Sequence, residues 1–375
     1  MSANQSTIAE ELAEFLRSNA PRYLSDVSGE PLEVHLETGG DRVLSSLYRF
    51  RIEAKASVHN ILIKLPGTTD ASHSSKRPRL ITVPDKRRRA KLEYATLSAI
   101  DRNFGALKDP RFDSVHVFDF VERHSAIVME YKKCTPLSKL LLKTNRIQNP
   151  FIGSRPLAVL TNAGAWLKAF HSVVPSFPES PLGNDTRAKF VQHIEAFGRY
   201  LSRSRARTTR TDGLFRDIVE ASSAHLPESF PTAIGHGDFA PRNILVGSKG
   251  QVSVIDTKGL ARTAIYEDIA LFIAALRTSK VQALTRRAAY SASVLDRQEH
   301  AFLSGYFADE EAPRAVIALF TVQALLDKWC AQIEGVAATN GGVSRLGRFY
   351  ASSSIEWLLE RELERQLRSI RAGGQ

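Results

Sequence analysis

In HGDFAPRNILV, a histidine, His236, precedes Asp238 by two residues, and Asp238 precedes Asn243 by five; a second aspartate, Asp256, closes the run VSVID shortly afterwards. A carboxylate at Asp238 can accept or orient the proton of an attacking hydroxyl. An amide oxygen and a later carboxylate are hard ligands, the kind Mg²⁺ prefers to imidazole or thiolate. That chemistry requires Asn243 and Asp256 to be neighbours. The segment NILVGSKGQVSVID supplies a means, because two β-rich runs flank GSKG and predict a hairpin. A two-residue turn at Lys249 and Gly250 would pair Ile244 with Ile255 and Asn243 with Asp256. Directly paired residues have Cβ atoms about 4.5–5.5 Å apart. A longer loop with a bulge would move the register by one and keep these ends adjacent.

The elements that must position these groups divide the chain. MSANQSTIAEELAEFLRS predicts a short amphipathic helix, and LEVHLE, LYRFRIEA and HNILIKL alternate as strands do. KRRRAKLEYATLSAIDRNF predicts a helix, followed by the strands VHVFDFV and SAIVMEY. Beyond Tyr131 helical patterns dominate, as in RPLAVLTNAGAWLKAFHSV and EDIALFIAALRTS. Two domains are therefore expected: residues 1–130, β-rich behind an opening helix, and residues 131–375, mainly helical. The basic stretch from about Thr68 to Lys86 predicts a long loop. Gly39 and Gly40 fit either a loop that covers a nucleotide or a plain β-turn.

The offsets of His236, Asp238 and Asn243 match the catalytic loop of kinases, in which the aspartate faces the acceptor hydroxyl. HGDFAPRNILV, then VSVIDTKG, then YEDIALF resembles the aminoglycoside phosphotransferase and choline kinase group. Glycine after the histidine, where protein kinases carry arginine, points to that small-molecule branch. The likeness runs from about Leu36 to Trp329, with its specific motifs between Ile234 and Leu276. It implies an α+β, bilobal protein-kinase-like fold with a β-rich N-lobe and a mainly helical C-lobe. It also implies an ATP- and Mg²⁺-dependent phosphotransferase acting on a small-molecule hydroxyl. By this resemblance Asp238 is the catalytic base, and Asn243 and Asp256 hold the metal. Asp268 braces the loop, and His236 is structural. The smaller lobe should then offer a lysine to the phosphates and a glutamate to hold it. Lys64 on an apolar strand and Glu93 on the next helix fit, although Lys64 could be an edge lysine facing water and Glu93 a surface partner. Backbone groups from Glu130 to Lys132, in VMEYKK, would meet the adenine. Thr257-Lys258-Gly259 departs from the family after the second aspartate, with Lys258 facing either solvent or an anion.

Charge narrows the acceptor. The net charge is +11 with a pI near 9.7, and basic residues concentrate in SSKRPRLITVPDKRRRAKLEY and RYLSRSRARTTR. A polycationic acceptor wants a carboxylate-lined surface, so these numbers favour a neutral or anionic one. Nucleic-acid binding is disfavoured, because interleaved aromatics and zinc patterns are missing. Peripheral membrane contact through the basic patches stays open. IALFIAAL and AVIALFTVQALL are too short to span a bilayer. Two widely separated cysteines, Cys134 and Cys330, suggest thiols in a reducing cytoplasm. The alternative activity is that of a pseudokinase, a nucleotide-gated binding module.

Overall fold

The computed structural model describes residues 3–27, 31–41, 45–55, 57–66, 78, 85–143, 154–174, 182–203, 209–258, 261–338 and 345–373. The long basic loop falls almost wholly outside them, as do residues 204–208 of the second basic cluster. The chain forms two compact units. The first starts at the N-terminus and includes Val83–Leu107 and Ser114–Lys133; the second includes Lys108–Asp113 and Cys134–Gln375.

The first unit is a five-stranded antiparallel sheet with helices α1 (Ala3–Tyr23) and α2 (Lys86–Leu107). Its strands are β1 (Glu33–Asp41), β2 (Ser45–Glu53), β3 (Val58–Pro66), β4 (Val117–Val121) and β5 (Ala126–Glu130), in the order β1-β2-β3-β5-β4. The alternation read from HNILIKL has a physical basis here. Ile61, Ile63 and Leu65 are buried in the core that Leu12, Leu16 and Ala20 of α1 share with Phe50 and Ile52. Leu62 and Lys64 point to the opposite face, as a period of two requires. Gly39 and Gly40 do not form a turn: they lie within β1, opposite Tyr48 and Leu47. A Cβ on Gly39 would stand 2.9 Å from the Tyr48 ring, so the glycine accommodates a cross-strand aromatic.

The second unit is mainly helical. It contains α3 (Leu137–Leu142), α4 (Ser154–Val173), α5 (Arg187–Arg203) and α6 (Thr209–His225). After short strands come α7 (Tyr266–Arg277), α8 (Lys280–Leu284), α9 (Ala292–Phe307), α10 (Arg314–Ala338) and α11 (Arg345–Gly373). The strands are β6 (Thr135–Pro136), β7 (Thr232–Ile234), β8 (Ile244–Val246), β9 (Val252–Val254) and β10 (Arg262–Ala264). They form two small sheets, β6-β8-β9 and β10-β7.

The apolar run AVIALFTVQALL belongs to a longer helix than its length suggests. In α10, residues Arg314–Glu334 have the length and mean hydropathy, 1.3, to cross a membrane, but 72% of that window is buried inside the protein. Leu319, Phe320, Leu325, Leu326 and Trp329 of α10 fill the core with α5, α7 and α11. Burial, rather than lipid, accounts for their character.

Glycines set another contact. A Cβ on Gly164 of α4 would lie 2.0 Å from the Phe302 carbonyl oxygen, and one on Gly305 of α9 would lie 1.9 Å from that of Thr161. The two helices therefore pack backbone against backbone.

Candidate functional site

The predicted hairpin forms with its register moved by one. Ile244 pairs with Val254 and Val246 with Val252, so Asn243 faces Ile255 rather than Asp256. The cause is the loop. Gly247 and Gln251 close the hairpin through Gly247 N to Gln251 O at 2.9 Å, and Gly250 adopts φ +86°. This is the three-residue loop with a left-handed glycine, rather than a two-residue turn centred on lysine. The ends remain adjacent, because Ile255 N donates to Asn243 O at 3.0 Å and Asp256 follows directly. Asp256 itself has φ +60°, a conformation aspartate tolerates better than most residues.

The loop that carries Asp238 is fixed from below. Asp268, at the start of α7 and 1% exposed, accepts from His236 N at 2.6 Å and Gly237 N at 2.8 Å. His171 of α4 reaches the same carboxylate at 3.2 Å and Tyr306 Oη at 2.9 Å. Burial opposes ionisation of Asp268, but the His171 bond and charge, with His236, outweigh it and hold the carboxyl below its usual range. Asp238 N donates to His236 Nδ1 at 3.3 Å, which assigns that nitrogen as an acceptor. Burial pushes the His236 imidazole down, consistent with a neutral ring. Gly237 has φ +73°, and a Cβ there would stand 3.2 Å from that of Lys258. Only glycine fits such a position without strain.

Phe239 holds the loop from its other side. It is fully buried, stacks on Trp166 at 6.0 Å between ring centroids, and meets Phe272 and Phe302.

At the site itself, Asn243 Nδ2 donates to the Asp238 carbonyl at 2.9 Å and to Asp238 Oδ2 at 3.0 Å. Two acceptors on one atom identify it as the NH₂ group, so Oδ1 is the amide's acceptor and is directed elsewhere. With the Asp256 carboxylate beside this strand end, the donor set is hard oxygen and suits Mg²⁺. Among the described residues there is no group of three or more His, Cys, Asp or Glu arranged for a metal.

In the first unit, Lys64 Nζ lies 2.6 Å from Glu93 Oε1, with side chains 15% and 16% exposed. β3 has a neighbour on each side, so Lys64 is no edge lysine. Glu130 and Lys132 stand at the end of β5 with their side chains 3.8 Å apart. The amides expected to meet adenine are partly used: Glu130 N donates to His116 O at 2.8 Å and Tyr131 N to Asn60 O at 3.0 Å.

With this geometry in place, the comparisons are informative. Residues 146–318 match the phosphotransferase enzyme family, APH. The resemblance to the aminoglycoside phosphotransferase and choline kinase group holds. Among solved structures, a choline/ethanolamine kinase family protein from Mesorhizobium loti is 16% identical, with TM-score 0.55 over 97% of this chain and 99% of that one. The ethanolamine kinase of Plasmodium vivax is 14% identical, with TM-score 0.52 over 96% and 95%. A glucosamine kinase solved with glucosamine, ADP and inorganic phosphate is 13% identical, with TM-score 0.55 over 90% and 84%. These likenesses establish the α+β, bilobal kinase-like fold. No curated protein matches the sequence significantly.

Three participants escaped the sequence reading. His171 reaches Asp268 across 97 residues of chain, and no local pattern announces it. Lys328 lies on α10, two residues past the apolar run AVIALFTVQALL. Arg242 stands in the motif four residues after Asp238, and its ion pair with that residue appears only in the structure.

Proposed function

We propose that the protein is an ATP- and Mg²⁺-dependent phosphotransferase that moves the γ-phosphoryl group to a hydroxyl of a small molecule. The observation that carries this reading is the anchoring of Asp238: its loop amides are held by buried Asp268, and its carboxylate is held by Asn243 beside Asp256. Such a carboxylate has one orientation available, which is what positioning catalysis needs.

In the reaction, the acceptor oxygen forms a bond to the γ-phosphorus while the bond to the bridging oxygen breaks, and ADP leaves. Asp238 takes the hydroxyl proton. Lys64, kept in place by Glu93, meets the phosphates and offsets charge that shifts to the leaving group. Mg²⁺, when bound, supplies further positive charge to the triphosphate, with Asn243 and Asp256 as the residues to hold it. Lys132 and the neighbouring strand end would take the adenine, with Glu130 placing that segment. Cys134 and Cys330 are not joined in a disulfide, and on that basis the protein is assigned to a reducing cytoplasm.

The test is Mg²⁺-dependent ADP release from ATP with pooled amino alcohols, free sugars, anionic glycans and aminoglycosides, run beside Asp238→Asn. The expected result is turnover with one pool and a loss of about 10²–10⁴ in kcat for the variant, without loss of nucleotide binding. Full activity in Asp238→Asn would remove the assignment. ATP binding with no turnover in any pool would favour the pseudokinase.

A further inference from the structure

The acceptor's chemistry can be narrowed further, on the basis of the phosphotransferase reading. The two carboxylate oxygens of Asp238 are held differently. Oδ2 accepts from Asn243 Nδ2 at 3.0 Å, and Asn243 is only 4% exposed. Oδ1 accepts from an Arg242 guanidinium nitrogen at 2.5 Å, and the Arg242 side chain is 59% exposed. An acceptor hydroxyl must come within about 2.6–3.2 Å of a carboxylate oxygen to give up its proton. Of the two partners, the solvent-facing guanidinium on its flexible stem is the one able to swing aside. The buried amide is not.

Other cations surround this point. Lys258 is exposed and its stem packs over Gly237. Lys328 of α10 donates to Thr278 Oγ1 at 2.6 Å. Burial and then Arg242 push its ammonium down to about 8, against the opposite pull of Asp238 and Asp327. These cations lie among the carboxylates of Asp238, Asp256 and Asp327, and Arg242 is the one that is both solvent-facing and shaped, by its planar fork, for carboxylate or phosphate.

We infer that Arg242 is a positioning residue for the acceptor: it pairs with a carboxylate or phosphate carried beside the reacting hydroxyl, and this pairing draws the guanidinium off Asp238 Oδ1. Substrate binding and exposure of the base are then one event. A neutral acceptor leaves the ion pair closed.

The experiment uses matched acceptors with and without the anion: glycerol against glycerate, glucose against glucuronate, and glucose against glucose 6-phosphate. ADP release is followed for the parent protein, Arg242→Gln and Arg242→Lys, with thermal melts to confirm folding. In the parent protein an anionic member should exceed its neutral counterpart by about tenfold in kcat/KM, through kcat as well as KM, because the neutral member leaves the base covered. That ratio should collapse in Arg242→Gln and partly return in Arg242→Lys, a pattern that a merely structural role for Arg242 would not produce. A preference for the neutral members, or an anionic preference that survives in Arg242→Gln, overturns the inference while leaving the kinase intact. If no pair turns over, calorimetric titration with glycerate, glucuronate and glucose 6-phosphate separates the two ideas. Binding that is lost in Arg242→Gln keeps the anion site, no binding overturns it, and the kinase reading stands or falls separately on the pooled-acceptor assay with Asp238→Asn.

Discussion

Asp256, the proposed metal ligand, departs from ordinary backbone. A non-glycine residue at φ +60° costs on the order of 1–3 kcal/mol, and such strain persists where the surroundings over-determine it. Asparagine tolerates the same backbone, so Asp256→Asn should spare the fold and remove the charge. It is expected to weaken Mg²⁺-dependent ATP binding by about tenfold or more in calorimetry, with a melting temperature near that of the parent. Glu267, next to the loop brace, carries a different signature. Burial first, then the charges of Asp268 and Asp327, push its carboxyl from 4.5 up to about 8, against bonds from Thr263 and Asn184. The folded protein then holds this proton more tightly than the unfolded chain does, so stability falls as pH rises from about 4.5 to 8 and levels off above. Glu267→Gln, neutral throughout, should flatten that slope in urea midpoints taken at several pH values. The juxtaposition of Asp238, Asn243 and Asp256 was legible in the sequence because it depends on offsets within a short segment. Arg242 was visible but mute, since its meaning depends on a turn that brings its guanidinium back onto Asp238.

At the level of elements, alternation and helical period were sufficient for the sheet of the first unit and for most helices. Three details were not. The hairpin register depends on whether Gly250 takes a left-handed conformation, which composition does not decide. Gly39 and Gly40 lie in a strand because Tyr48 needs the space, a requirement visible only across the sheet. The extent of α10 exceeds its apolar run because charged and polar residues continue the helix beyond it. The contact of α4 with α9 supplies the test at this scale. Gly305→Ala would press a methyl group into the Thr161 carbonyl, and overpacking of that kind costs about 1–3 kcal/mol or more. Because α4 also carries His171 and Trp166, a fall in kcat should accompany the fall in urea midpoint. An unchanged midpoint would mean that the helices can separate without cost.

For the molecule as a whole, charge is the property that composition states and the fold distributes. The net charge of +11 favours anions from a distance, and that attraction is screened by salt. With an anionic acceptor, KM should rise as ionic strength increases from about 0.01 to 0.15 M, while kcat changes little; a KM indifferent to salt would argue for a neutral acceptor. The fold class was legible from the order of strands and helices together with three short motifs. The acceptor was not, because the surroundings of Asp238 include side chains far away in sequence, such as Lys328 on α10, an element whose pattern only reports burial.

Phe239 adds a practical consequence. The residue beside the proposed base is wedged into the aromatic core of the second unit, against Trp166, Phe272 and Phe302. The loop therefore has no independent way to melt: it stays in register while that core is intact and fails when the core does. Heat inactivation should follow a single transition, superimposable on the loss of near-ultraviolet aromatic signal. Residual turnover after a heat challenge would then count folded molecules, making the enzyme its own thermometer.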